Sequence, residues 1–208
     1  FTLVPILKEI DLGENPEVTQ FHFTAVRDTL STVNDNQERM MQNVYVYSLQ
    51  EALDSTILYT SSLSPGVKED NETKTNVEKF LLDDNGEKKI ITKGIPVYNG
   101  GDSLSFDFSN EYAQSVIEGL QKFHKKYTEN KEASISDYLK LVPGIYIESE
   151  APSGNGGRIN MFDLALEFNS SGYISGNYAE LKITSDYGTR KDVDTSFIFF
   201  FGPSDFIA

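Results

Sequence analysis

The chain has 208 residues, with 32 acidic against 18 basic side chains and a formal net charge of −14. That charge repels phosphate backbones and anionic lipid headgroups instead of recruiting their counterions, which sets aside nucleic acid and membrane surfaces as partners. The sequence has no cysteine, which removes disulfides, thiolate metal sites and cysteine nucleophiles.

The length suits one large domain over residues 1–208, since all-β domains often reach this size undivided. No apolar run approaches the ~20 residues of a membrane-spanning helix. Phe1 opens directly in β-like sequence without the charged and apolar regions of a signal peptide, so the chain reads as a processed or truncated soluble piece.

In the N-terminal third, Phe21, Phe23 and Ala25 alternate with His22, Thr24 and Val26, which puts both phenylalanines on one strand face and the histidine on the other. Asn43 to Tyr47 alternates in the same way, sending Tyr45 and Tyr47 to one face and Val44 and Val46 to the other. Ser48 and Glu51 have capping-box spacing, which predicts a short helix over Ser48 to Asp54. A strand over Thr56 to Thr60 follows. From Ser64 to Lys79 the apolar content collapses, as expected of a flexible surface loop or a boundary between halves. Asp83-Asp84-Asn85-Gly86 is a turn signal between apolar stretches and predicts a hairpin.

The second half is more regular. Leu104, Phe106 and Phe108 share a strand face opposite Ser105 and Asp107. Ser109 is placed to cap a helix whose stripe is Tyr112, Val116, Leu120, Phe123 and Tyr127, with Gln114, Glu118, Gln121, Lys122 and Lys125 facing water. Ser134 and Asp137 open a second short helix that Pro143-Gly144 stops, and Ile145 to Glu150 reads as a strand. Ala151 to Gly157 is a glycine-rich hairpin loop. Beyond it, Phe162, Leu164, Leu166 and Phe168 line one face of a strand, with Asp163 and Glu167 on the other. Strands at Tyr178 to Thr184 and Thr195 to Phe201 complete the pattern, the last apolar on both faces and therefore central or covered. The expected fold is mainly β: an antiparallel β-sandwich, jelly-roll-like, with a surface helical insertion around residues 109–142.

Several segments together resemble an uncharacterised Bacteroidetes lipoprotein family, catalogued as domain of unknown function 4270. They are Asn43-Val-Tyr-Val-Tyr-Ser-Leu, Gly94-Ile-Pro-Val, the strand from Ser103 to Phe108 leading into a helix, Tyr138-Leu-Lys-Leu-Val-Pro-Gly-Ile-Tyr-Ile147, Gly154-Asn-Gly-Gly and Asp194-Thr-Ser-Phe. The likeness runs from about Phe21 to Gly202, and its strongest element is the helix, Pro-Gly and Gly-Ile-Tyr-Ile sequence. It implies a cell-envelope protein anchored at the outer membrane through a lipid on an N-terminal cysteine, periplasmic or surface-exposed. This chain has no such cysteine, so membrane association through a lipid anchor is an implication of the resemblance alone. The family supplies no catalytic or ligand residues.

Candidate chemistry therefore rests on the residues. The two histidines, His22 and His124, are too few for a histidine-rich metal cage. Glycosidases need two carboxyl groups roughly 5 to 10 Å apart, and Asp107, Glu148, Glu150, Asp163 and Glu167 all lie on expected strands, where each equally serves to solvate an outer face. Calcium needs six to eight oxygen ligands, which the acidic turn Asp83, Asp84 and Asn85, or Val33 to Gln37, would supply with backbone carbonyls. Ordinary turn chemistry explains the same residues. Ser153 to Gly157 lacks the following helix of a phosphate cradle, and no Gly-Xaa-Ser-Xaa-Gly motif occurs. The 11 tyrosines and 14 phenylalanines invite a glycan platform, for which Tyr45, Tyr47 and Tyr146 are the candidates.

No catalytic constellation is assembled. The reading that follows is a noncatalytic envelope module that binds a glycan or protein partner or acts as a spacer, without a cofactor unless the acidic turn holds a structural calcium. A glycan-acting hydrolase with paired carboxylates and a structural assembly component are the alternatives. A continuous exposed apolar surface would favour assembly over ligand binding.

Overall fold

A computed structural model describes residues 2–5, 10–34, 41–53, 58–60, 74–76, 80–130, 134–150, 158–162, 166–168, 174–176 and 178–202. The first half contains β1 (Thr2–Pro5), β2 (Glu14–Asn34), β3 (Gln42–Ser48), β4 (Leu58–Thr60), β5 (Lys74–Asn76), β6 (Val97–Tyr98) and β7 (Ser103–Asp107). Helices α1 (Asn110–Asn130) and α2 (Ile135–Leu141) follow, then β8 (Ile145–Ser149), β9 (Arg158–Phe162), β10 (Leu166–Phe168), β11 (Ile174–Gly176), β12 (Tyr178–Tyr187) and β13 (Arg190–Gly202). The fold is mainly β. A large antiparallel sheet runs β1-β13-β12-β2-β7, with β9 also on β2, and a three-stranded sheet runs β6-β3-β8.

Period-two alternation decides which side of each sheet is dry. Phe21, Phe23 and Ala25 of β2, Leu104 and Phe106 of β7, and Ala179, Leu181 and Ile183 of β12 are all buried. They share one core with Val44 and Val46 of β3 and Ile145 of β8, so the inner faces of the two sheets meet in a sandwich arrangement. β13 lies between β1 and β12, the central position expected of it, with Phe197 and Phe199 buried. A jelly-roll path, which needs two interleaved Greek keys, is not identified by these pairings.

Helix α1 begins where Ser109 Oγ accepts the Tyr112 N–H at 3.2 Å. Its buried face is wider than the expected stripe, because Ala113 and Ile117 join Tyr112, Val116 and Leu120 in the core. At α2 the Asp137 carboxylate accepts the Ser134 N–H at 3.2 Å, one arm of the expected capping box, and Gly144 at φ 117° turns the chain into β8. Among the described residues no helix is long and apolar enough to cross a membrane.

Four local expectations need correction. No helix forms over residues 48–53, because the Leu49 and Gln50 amides bond to the carbonyls of Gly144 and Phe80 at 3.0 and 2.8 Å. Tertiary backbone bonds there outcompete a one-turn helix, whose nucleus is costly. The stretch expected as one strand from Phe162 to Phe168 has described ends with different partners: Phe162 of β9 lies beside β2, and Leu166 of β10 beside β11. Strand β5 falls inside the expected loop at 64–79 and pairs in parallel with β4. The segment 151–157 joins strands with different partners, β8 on β3 and β9 on β2, instead of closing a hairpin. Residues 151–157 themselves, with 54–57, 64–73, 77–79 and 163–165, lie outside the described residues.

Two glycines test the packing of the large sheet's rim. Gly13 has φ +65°, and an added Cβ would sit 2.5 Å from Ser185 Oγ and 2.6 Å from the Asp186 carbonyl oxygen. Gly188 has φ +62° with nothing within 4 Å of that position. Gly188→Ala therefore carries only the left-handed penalty of about 1–2 kcal/mol, whereas Gly13→Ala adds overpacking and costs about 2–4 kcal/mol. Urea denaturation of the two variants checks the order; equal losses would contradict the close approach at Gly13.

Candidate functional site

The burial of Val44 and Val46, 3% and 0% exposed, forces Tyr45 and Tyr47 to the outer face of β3. Register with β8 sets Glu148 opposite Tyr45 and Tyr146 opposite Tyr47, and directly paired residues project to the same side. All three candidate platform tyrosines are thus on one face. Along the other edge of β3 the segment 89–98 returns antiparallel, with Ile90 opposite Tyr47 and Val97 opposite Asn43.

The tyrosines are only half-exposed. The Tyr45 and Tyr47 ring centroids are 6.4 Å apart with planes 9° from parallel, while Tyr47 and Tyr146 rest on a small cluster around Leu49 and Leu81. Two carboxylates edge the rings. Glu150 Oε2 accepts from Tyr45 Oη and from Asn43 Nδ2, both at 3.0 Å. Lys88 Nζ lies 3.9 Å from Glu148 Oε2 and 5.5 Å from the centre of the Tyr47 ring.

These contacts tune the phenols. The hydrogen bond to Glu150, helped by desolvation and by the charge of that carboxylate, holds Tyr45 above its ordinary value. Burial and then the charge of Glu148 raise Tyr47, partly offset by Lys88. Met41, Leu82, Ile90, Ile95 and Val97 are exposed large apolar side chains, and three of them, Ile90, Ile95 and Val97, lie on the segment 89–98 that flanks β3. Leu82 pairs with Lys88 and leads into a groove of about 500 Å³ lined by Gln50, Glu51, Phe80, Leu82, Asp83 and Asp84.

The acidic turn behaves as a turn. The Asp83 carboxylate accepts the N–H groups of Glu87 and Asn85 at 2.9 and 2.8 Å, which lowers its proton affinity, and Asp84 and Asn85 are exposed. Among the described residues no group of three or more His, Asp or Glu side chains is gathered as a metal would require. Of the alternative loop, Val33 and Asn34 belong to β2 and residues 35–37 lie outside the described residues.

The carboxylates considered for glycoside cleavage are dispersed. Asp107 is on the large sheet, where its Oδ1 meets His22 Nδ1 at 2.7 Å and the Gln20 amide at 3.1 Å. Burial raises its proton affinity, but those hydrogen bonds outweigh it and the net shift is downward. Glu148 is on β8 and Glu150 just past its end, Glu167 lies on β10, and Asp163 is outside the described residues. A general acid needs a carboxyl displaced upward. Every described carboxyl that is displaced moves down, namely Asp83, Asp107, Asp137 and Asp186. His124 is half-buried on α1 beside the helix stripe.

Sequence reasoning missed Lys88, Ile90 and Val97 as parts of this face. Alternation cannot separate Ile90 from the buried Ile91 because both are apolar; only the bridge to Tyr47 shows which one faces out. No family model, no curated protein and no solved structure matches the chain.

The Tyr45 contact is testable in solution. Glu150→Gln removes the negative acceptor, so the Tyr45 phenol should titrate closer to the ordinary ~10 while Tyr47 stays in place. Titration of ring-labelled tyrosines by NMR checks this, and an unmoved Tyr45 midpoint would show that the two groups do not meet.

Proposed function

We propose that this chain is a noncatalytic interaction module that holds a protein partner on the outer face of its small sheet. The observation that carries the reading is the placement of exposed Ile90 opposite Tyr47 and of Val97, 56% exposed, opposite Asn43, with exposed Ile95 between them in the same segment. Exposed apolar side chains grouped around tyrosines and rimmed by carboxylates have the composition of a protein interface: an apolar and aromatic centre with a polar edge. Branched aliphatic side chains offer a sugar ring no flat surface to stack on, so the tyrosines alone would serve a glycan. The absence of an upward-shifted carboxyl among the described residues weighs against hydrolysis.

Site-specific photo-crosslinking separates these occupants. A benzophenone side chain at Val97 should give a discrete protein adduct in the cells that make the chain, and the same group at Lys182, on the large sheet, should not. Equal adducts from both positions would refute the reading. Glycan-array binding that a Tyr45→Ala, Tyr47→Ala double variant abolishes would replace the protein partner with a sugar.

The envelope setting belongs to the same proposal. It rests on the resemblance carried by the Tyr138 to Ile147 junction and the shorter matching segments. The full-length protein should then fractionate with the outer membrane; recovery in the cytoplasm alone would remove this part.

A further inference from the structure

Resting on the proposed protein-docking role of this face, we infer that the partner is taken up as an added β-strand, an extended segment that pairs antiparallel with Val97 along the free edge of β6. Among the described residues β6 is an outermost strand of its sheet, with β3 on one side and no strand on the other. Such an edge is a row of unpaired donors and acceptors, and another strand is the chemistry that satisfies it.

The direction of the edge groups follows from one bond. The Val44 N–H donates to the Pro96 carbonyl at 2.8 Å, so that carbonyl faces β3. None of the described peptide bonds is cis. In a trans unit the N–H points opposite to the C=O, so the Val97 N–H faces away from β3. Val97 stands opposite Asn43 as a non-hydrogen-bonded pair, which sends its carbonyl outward as well. No hydrogen bond among the described residues engages either group. Toward β7 the same segment is bonded as far as Lys93, whose N–H reaches the Asp107 carbonyl at 2.9 Å, and beyond it the edge is open.

Side chains and charge select the occupant. A partner residue opposite Val97 would exchange two backbone bonds with it and project onto the outer face, where its side chain meets exposed Val97. Exposed Ile95 lies two residues along the same edge, so apolar, β-branched residues at alternate positions suit the added strand. Glu150 Oε2 accepts from Asn43 at 3.0 Å, which puts a carboxylate on the row of Val97 and favours basic residues flanking the apolar ones. A second copy of this chain carries the same net charge of −14 and is repelled.

The probe is the synthetic peptide Lys-Lys-Val-Thr-Val-Lys-Lys, titrated into the whole chain with backbone amides followed by NMR. In the free chain the Val97 amide should exchange with solvent much faster than the Ile91 amide, which is bonded to the Val46 carbonyl. Saturating peptide should slow Val97 exchange about tenfold or more and leave Ile91 unchanged. N-methylation of both valines blocks the donors that face β6 and should abolish binding. N-methylation of the threonine, whose amide points away, should change affinity by less than about threefold. Val97→Pro removes the chain's own donor and should weaken the peptide about tenfold, whereas Val97→Thr keeps it and should stay within about threefold. Ile91 protection in the Val97→Pro variant shows that the ladder is intact, and the two methylated peptides need no change in the chain.

Slow Val97 exchange in the free chain, equal binding of the two methylated peptides, undiminished binding by Val97→Pro, or no binding at all would overturn the inference. A dimer of the chain in sedimentation that Val97→Pro dissolves would also overturn it, by making a second copy the occupant. The crosslink from Val97 is a separate readout. A protein adduct there without peptide pairing leaves the docking role standing and removes strand addition. Peptide pairing without any adduct keeps the chemistry of the edge and removes the docking role.

Discussion

The arrangement of the two sheets depends on a few backbone bonds around Ile91 and Phe108. The Ile91 N–H donates to the Val46 carbonyl at 3.0 Å, while its own carbonyl accepts the Ser109 N–H at 2.8 Å. Lys93 donates to the Asp107 carbonyl at 2.9 Å, and Thr92 bridges Phe108. The segment 91–93 is therefore hydrogen-bonded to β3 on one side and to the end of β7 on the other. It carries the ladder from the large sheet into the small one, while the burial of Val44 and Val46 sets which face of β3 turns outward.

Aromatic packing locks that corner from within. The Phe108 ring is fully buried and meets Phe21 at 4.6 Å, Tyr112 at 5.1 Å and Phe106 at 5.3 Å between centroids. One side chain thus touches β2, β7 and α1 at the point where its backbone joins segment 91–93. Large rings fill such a junction with few degrees of freedom to lose, which favours a single arrangement. The helix is held by this packing and by the Ser109 cap together, so its wider buried face follows from having to cover the rings as well as the strands.

Alternation made most of this legible in advance. The pattern at Phe21 and Phe23, at Val44 and Val46, and at Leu104, Phe106 and Phe108 identified the dry faces because side chains of unlike kind alternate there, polar against apolar or tyrosine against valine. The helix starts at Ser109 and Ser134 were legible because a cap is a local device. Pairing was not. Nothing local distinguishes Phe162, beside β2, from Leu166, beside β11, and the capping-box spacing at Ser48 was overridden by carbonyls from Gly144 and Phe80, distant in sequence. The candidate site divides in the same way: the common face of Tyr45, Tyr47 and Tyr146 follows from strand period, whereas Lys88 and Ile90 reach it through a turn and a bridge that only folding brings about.

The period that builds the core also insulates the outer face from it. Val44 and Val46 belong to the main core, and the tyrosines between them contact water, the small Leu49 and Leu81 cluster and each other. Changes at Tyr45, Glu148 or Glu150 remove contacts that exposed side chains make with one another, so they leave the buried layer nearly untouched. Tyr47 and Tyr146 are different, because each also covers part of the small cluster. The acidic rim of this face, Glu148 and Glu150, can therefore vary while its centre at Tyr47 and Tyr146 stays tied to the fold.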